Sequence, residues 1–504
     1  MTAPYSGPQT RRNIVAFLAG KVPTAVLTAC VLGLSARVLP AAEFGHYVVG
    51  MALVELVLGL SSFGLDWVLL RFLPEYRLRG SRAALARLVG AVALWRMLLL
   101  SAVAAALLAA RGLGLLPANV PGGLVNVLAV LLVVEGGMRI LRDNTLEALA
   151  LQSRMQAAVV LRSAVVACAL LAMGNGQGSA HGLLLAELAA SAGALAAAGA
   201  FIVHALRALP DAAQAGWRPP ALAQMRSVAL QNYASGIVEY LYSPSSLILL
   251  LARSQSPEAM AGLGFVLRLT DIIRNYMPGM VIFSVVRSRM IGAYAGNRDY
   301  GELQRWAHFV FKISALSLLP VLAVAAVYGD LVLQLASGGR FGEYRLLFAV
   351  LCGWLALRLH RLILNVVCNA VGLMGMWAMA SLCSLLVLPL LAWTAAAALG
   401  LWLVPVALFG NELVVNGLVV TGMRRRGFAW PLGLAWWSRA LCAIAAAAGV
   451  AWLLPGQGLP AAAVGTLLLC AVFAAALLLS GAIDAKDRQL INRVLGRQLL
   501  REAS

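Results

Sequence analysis

The chain has 504 residues, of which 62% are hydrophobic and 12% charged. That composition excludes a soluble globular domain of ordinary size, and a soluble catalytic domain with it. The net charge of +19 would suggest nucleic acid in a soluble protein, but here the basic residues flank apolar stretches. Anionic membrane lipids and topology account for them, and no nucleic-acid partner is expected. A bilayer core needs about 20 mostly apolar residues per helical span. Fourteen such stretches follow one another, at 14–36, 44–70, 89–110, 122–147, 157–173, 181–206, 227–252, 259–284, 306–328, 344–369, 377–398, 402–422, 436–454 and 461–480. The expected fold class is therefore an all-α polytopic membrane protein.

Arginine sits on alternate connections. Arg37, Arg111, Arg253 and Arg340 fall on one side of the membrane, and the remaining loop and tail arginines fall on the other. Positively charged loops stay in the cytoplasm. The expectation is a multi-pass protein of the inner membrane with both ends cytoplasmic. Thr10-Arg11-Arg12-Asn13 ahead of the first apolar run superficially resembles a twin-arginine export signal. Thirteen further spans follow it, so an anchor for the first helix is the better reading. Cys30, Cys168, Cys352, Cys368, Cys383, Cys442 and Cys470 all fall within apolar stretches without a C-x-x-C pair. Neither a zinc site nor a disulfide framework is expected. His46, His181, His204, His308 and His360 share no ligand spacing, and no phosphate loop or catalytic triad stands out. No metal, cofactor or enzymatic activity is expected.

A shift of 217 residues lays the first half over the second: Pro40-x-Ala42-x-x-Gly45 falls on Pro257-x-Ala259-x-x-Gly262. Each turn leads through a long apolar span into an Arg-rich loop. Arg139, Arg142 and Asp143 of the fourth span lie at the depth of Arg358, His360 and Arg361 of the tenth. Those arginines either contribute to a site or snorkel to the membrane surface. The pattern predicts two six-helix lobes, 1–210 and 211–422, an appended pair over 423–480, and a tail over 481–504. In the tail, Leu490, Ile491, Val494, Leu495 and Leu499 share a face among arginines. Such a helix lies on the inner leaflet or binds a partner.

Ionisable side chains within spans are costly and tend to face cavities and partners. Four polar seams follow helical spacing. Span one carries Lys21, Thr24 and Thr28; span two carries Glu55, Gly59, Ser62 and Asp66. Span seven carries Asn232, Ser235, Glu239, Tyr242 and Ser246, with a kink expected at Pro244. Span eight carries Arg268, Asp271, Asn275 and Gly279, with Arg274 just off the line. Thr, Ser and Asn also serve as interhelical glue, whereas full charges such as Lys21, Arg268, Asp271 and Arg274 point to a site. Glu55, Asp66, Glu239 and Asp271 are the candidate ion-coupling groups.

The stretch Arg37-Val-Leu-Pro-Ala-Ala-Glu-Phe-Gly-His-Tyr47, with Leu60-Ser-Ser-Phe-Gly-Leu-Asp-Trp-Val-Leu-Leu-Arg-Phe72, resembles the opening of bacterial polysaccharide flippases. Leu364-Asn-Val-Val-Cys-Asn-Ala-Val-Gly372 is similar to their connection between spans ten and eleven. The resemblance covers the layout of the whole chain through short motifs. It implies the multidrug/oligosaccharidyl-lipid/polysaccharide exporter superfamily: two six-helix lobes in a V around a central cavity, lined mainly by spans one, two, seven and eight, plus two C-terminal helices. It implies transport of undecaprenyl-diphosphate-linked oligosaccharide from inner to outer leaflet, with polysaccharide polymerase and export proteins as partners. The diphosphate would then fall to Lys21, Arg268 and Arg274; Thr24, Thr28, Asn232, Tyr242 and Asn275 would be polar cavity positions, with Tyr, Asn and Ser side chains meeting sugar hydroxyls. One departure stands out. The seams sum to a slight negative charge, where the polysaccharide branch is expected to be cationic. An ion-coupled drug or cation antiporter of the same superfamily is the first alternative, and a membrane-embedded glycosyltransferase or polymerase the second.

Overall fold

The computed structural model describes residues 7–114, 122–208, 211–277, 299–431, 433–453 and 458–480, with side chains from Gly20 onward. Every regular element among them is helical. Eleven of the described helices are long and apolar enough to cross a membrane, and a twelfth is reached if the bent pair Leu222–Leu241 and Pro244–Leu251 counts as one span. Helices Pro257–Tyr276 and Leu434–Trp452 occupy the other two predicted positions. The protein is a multi-pass membrane protein, built as expected.

Two compact units divide the chain, Met1–Phe265 and Val266–Ser504. In the first, α1 (Gly7–Val38) lies along α6 (Gln152–Met173), and α5 (Gly122–Arg139) packs between α4 (Arg82–Gly112) and α7 (Ala180–Arg207). The Ala190, Ala194 and Ala198 stripe of α7 is completely buried. Small residues four apart let neighbouring backbones close up where lipid supplies no hydrophobic drive between helices. The repeat-related turns meet inside this unit. A methyl group on Gly45 would lie 1.9 Å from the Pro257 carbonyl oxygen, so the contact is backbone on backbone.

The second predicted span is not one helix. α2 (Ala41–Leu60) stops, and α3 (Leu65–Arg79) starts after a turn in which Phe63 and Gly64 take φ of 45° and 72°. The seam expected from Glu55 through Asp66 is therefore interrupted, because its helical spacing does not continue through the turn. Carbonyls freed by such a break need partners inside a membrane. Arg96 donates to Leu58 O, and the Tyr233 hydroxyl donates to Leu60 O at 2.6 Å. α8 (Leu222–Leu241) packs on α3 and α9 (Pro244–Leu251) on α2. A methyl on Gly64 would lie 2.0 Å from Ala229 O. Gly64→Ala should therefore lose about 2 kcal/mol or more, from the left-handed backbone and the clash together. Thermal melting of the purified variant checks this against Gly90→Ala, whose added methyl meets nothing.

The fourth span also departs from regularity. α5 runs into a π turn, Ile140–Thr145, before a last short turn at Leu146–Ala148. π turns inside α-helices recur at functional positions. At the expected Pro244 kink, α8 and α9 bend by 45°. Ser243 caps α9 by accepting from Ser246 N, with Pro244 in the first turn, where its missing N–H costs nothing.

In the second unit, α11 (Tyr300–Ser337) packs along α12 (Arg345–Ala370). α12 packs on α15 (Leu403–Arg425), which also carries α13 (Met374–Ser384) and α14 (Val387–Leu399). The eleventh predicted span is thus also divided. Trp306, Phe309, Leu364, Val415, Met423 and Trp430 form one core cluster. The closing pair, α16 (Leu434–Trp452) and α17 (Leu459–Leu479), rests on α11 through Leu319, Ala443, Ala447, Leu469 and Phe473.

Candidate functional site

Helix packing takes up part of the predicted seams. The Thr24 hydroxyl is buried, 2.8 Å from Gly20 O and 2.9 Å from Gln156 Oε1 on α6, and the Thr28 hydroxyl donates to Thr24 O at 2.7 Å. Both act as interhelical or intrahelical glue. Tyr242 is buried, and Asn232 Nδ2 donates to Val228 O one turn back, at 2.8 Å. Glu55 accepts from Ser245 Oγ at 2.7 Å, which joins α2 to α9. Asp66 accepts from Asn144 Nδ2 at 2.9 Å, so the π turn of the fourth span presents an amide to α3. Lys21 is half-buried, and Glu239 and Asn275 are exposed. Asp271 pairs with Arg274 at 3.1 Å, the two side chains being 35% and 29% exposed. Arg268 sits on the same helix, α10 (Pro257–Tyr276), and is half-buried. Gly279 and the Ser235 side chain lie outside the described residues, as do the 481–504 tail and the arginines of the 287–298 loop.

A charged centre that the seams do not include lies deeper in the first unit. Glu135 of α5, 2% exposed, receives Arg139 Nε at 3.0 Å and the Ser191 hydroxyl at 2.6 Å. Arg162 of α6 lies 3.5 Å from Glu135 and 2.7 Å from Glu187 of α7. Tyr47 of α2 donates its hydroxyl to Glu187 at 2.8 Å. Four helices are therefore tied by two buried carboxylates. The second unit repeats the device on spans ten and twelve. Glu412 of α15, 1% exposed, accepts a hydrogen bond from Arg358 at 3.2 Å and lies 3.6 Å from the Arg361 guanidinium. Arg361 is itself 2% exposed and lies over the Trp377 ring at 5.8 Å. It does not snorkel; a carboxylate and an aromatic face hold it in place.

Sequence reasoning reached Arg139 and Arg361 but passed over Glu135, Arg162, Glu187 and Glu412. The available signal was sign matching: mid-span acids and bases in the same run of spans imply pairing, since a lone buried charge is prohibitive. The first unit also carries a partly open cavity of about 420 Å³. Leucines and valines of α2, α4, α5 and α9 line it, and its polar members are His46, Arg253 and Gln255. None of the predicted site residues reaches it.

No family model and no curated protein matches this sequence. Solved structures do match. The lipid II flippase MurJ, in an inward closed conformation, aligns over 96% of this chain and 100% of its own, with a TM-score of 0.68 at 10% identity. An inward-facing multidrug resistance MATE family transporter of the MOP superfamily aligns over 81% and 94%, with a TM-score of 0.57 at 16% identity. The MATE multidrug transporter DinF-BH aligns over 84% and 97%, with a TM-score of 0.54 at 14% identity. The chain shares the fold of these solved structures. At these identities fold alone carries over, and each side chain has to be judged on its own surroundings.

Proposed function

We propose that this chain moves undecaprenyl-diphosphate-linked oligosaccharide repeat units from the inner to the outer leaflet of the bacterial inner membrane. It would thereby serve O-antigen, exopolysaccharide or lipopolysaccharide synthesis, with both termini in the cytoplasm. The observation that supports this reading is the extent of the match to the lipid II flippase MurJ. A match over 96% of the chain leaves too few residues out to omit the closing helix pair, whereas the multidrug structures match 81% and 84%. The motifs at 37–72 and 364–372 favour the same branch. Lys21, Arg268 and Arg274 are assigned to the diphosphate. Two six-helix lobes, 1–210 and 211–422, would rock to alternate access, each stiffened by its own buried arginine–carboxylate centre.

Depleting the protein in its native host should leave lipid-linked repeat units on the inner leaflet and abolish surface polysaccharide. Unchanged surface polysaccharide, with new sensitivity to cationic dyes, would return the antiporter reading. Glu55, Asp66, Glu239 and Asp271 would then be the coupling candidates.

A further inference from the structure

The second unit holds a cavity of about 260 Å³ lined by His308, Phe311 and Lys312 of α11 and by Trp430, Trp436 and Trp437 near the start of α16. Its size falls below the roughly 300–1,000 Å³ of drug-sized sites, so a ligand here is small. Its chemistry is unlike that of the apolar cavity in the first unit. Four aromatic rings, two imidazoles and one ammonium group line it, and no carboxylate does, among the described residues.

The walls are held in place. Trp437 stands edge-on to both Phe311, at 5.8 Å, and Trp436, at 5.1 Å, while His308 stacks on Trp430 at 4.2 Å. Trp430 Nε1 donates to His360 Nε2 at 3.0 Å. An indole N–H can only donate, so Nε2 accepts and the imidazole proton sits on Nδ1. There it faces Asn416 Oδ1 at 3.2 Å, and Asn416 Nδ2 donates to Leu357 O at 3.1 Å. That chain of bonds fixes Trp430 and His360 as a rigid wall. His308 differs: its Nε2 is shut off from solvent and has no hydrogen-bond partner among the described residues. Buried polar atoms are rarely left so. Arg425, Arg426 and Arg439 are exposed, and Arg424 donates to Trp430 O at 3.0 Å.

We propose that this cavity binds a phosphorylated polyol. The C–H faces of the polyol would lie on the indoles of Trp436 and Trp437 and its phosphate on Lys312. Two sources supply this chemistry: the sugar-phosphate end of a lipid-linked glycan, or the glycerophosphate headgroup of a bilayer lipid. Only the first rests on the flippase reading. The tryptophans are not ordinary interfacial anchors: such belts sit at headgroup level along the membrane surface, whereas Trp430 is 1% exposed and all three line a cavity.

The test uses the full chain purified in detergent, titrated calorimetrically with glucose 1-phosphate, glucose and inorganic phosphate. Native mass spectrometry from phosphatidylglycerol nanodiscs forms a second arm. Glucose 1-phosphate should bind saturably and more tightly than either fragment. Binding should weaken about tenfold or more in Lys312→Gln and in Trp437→Ala, since each removes a charge-assisted contact or a stacking face. Trp437→Phe, which keeps an aromatic face, should retain most of it, and melting curves for every variant separate misfolding from lost binding. Retention of phosphatidylglycerol that depends on Lys312, without sugar-phosphate binding, assigns the bilayer lipid as the source. If neither probe binds, or if both loss variants bind as wild type does, the proposal is overturned. These readouts use purified protein, so they stand apart from the cellular test of flipping.

Discussion

Replacing Glu135 by alanine should cost the protein about 3–5 kcal/mol, the usual penalty for removing one partner of a buried ion pair. The carboxylate is 2% exposed and lies within 3.5 Å of Arg162 and 3.0 Å of Arg139. Removing it leaves two guanidinium groups in a helix bundle with Glu187 as the remaining acid at that centre, 2.7 Å from Arg162. It also strips the Ser191 hydroxyl of its acceptor. Glu135→Gln should cost less, because an amide oxygen still accepts from Ser191. Melting temperature and detergent gel-filtration yield check both variants. Adding Arg139→Met to Glu135→Ala should recover part of the loss, since Arg139 loses the carboxylate 3.0 Å away while Arg162 keeps Glu187 at 2.7 Å. If it recovers nothing, the cost of Glu135→Ala lies with Arg162 and Ser191 rather than with Arg139. Glu412→Ala should behave in the same way in the second unit, where Arg361 is 2% exposed beside it.

The helices were legible because a bilayer leaves the chain little choice. A run of about 20 apolar residues has to satisfy its backbone internally, which means a helix. Hydropathy is blind to what happens inside a run. The break between α2 and α3 falls at Ser61-Ser62-Phe63-Gly64, apolar enough not to interrupt the pattern, yet Phe63 and Gly64 both turn left-handed there, which glycine does without steric cost. Extrapolating helical spacing across it joined Glu55 to Asp66 on one line. In the structure Glu55 goes to Ser245 and Asp66 to Asn144. Partners at that distance in sequence leave no periodic trace. The same holds for Thr24, which reads as a cavity hydroxyl by spacing and finds Gln156, 132 residues away. The bend at Pro244 was legible for the opposite reason, since proline marks a break in the residue itself.

The double variant Arg268→Ala/Arg274→Ala should remain folded in the membrane while lipid-linked repeat units accumulate on the inner leaflet. Arg274 and Asp271 are 29% and 35% exposed at 3.1 Å. An ion pair that open is worth at most about 1 kcal/mol, too little for its loss to unfold the protein. A charge-assisted bond to a diphosphate is worth about 1.5–3 kcal/mol per arginine, so each loss should slow transport roughly ten- to hundredfold. Lysine at either position should rescue partly, since it keeps the charge but not the two-pronged geometry that matches phosphate oxygens. Asp271→Asn separates the two roles of Arg274. If the arginine serves only to pair with Asp271, this variant should reproduce the transport defect of Arg274→Ala. If it holds substrate, freeing it from its carboxylate should leave transport at wild-type level or raise it. Lys21→Ala should produce a milder accumulation of the same intermediate. Wild-type surface polysaccharide in the double arginine variant would return Arg268 and Arg274 to helix packing and leave the diphosphate to other cations.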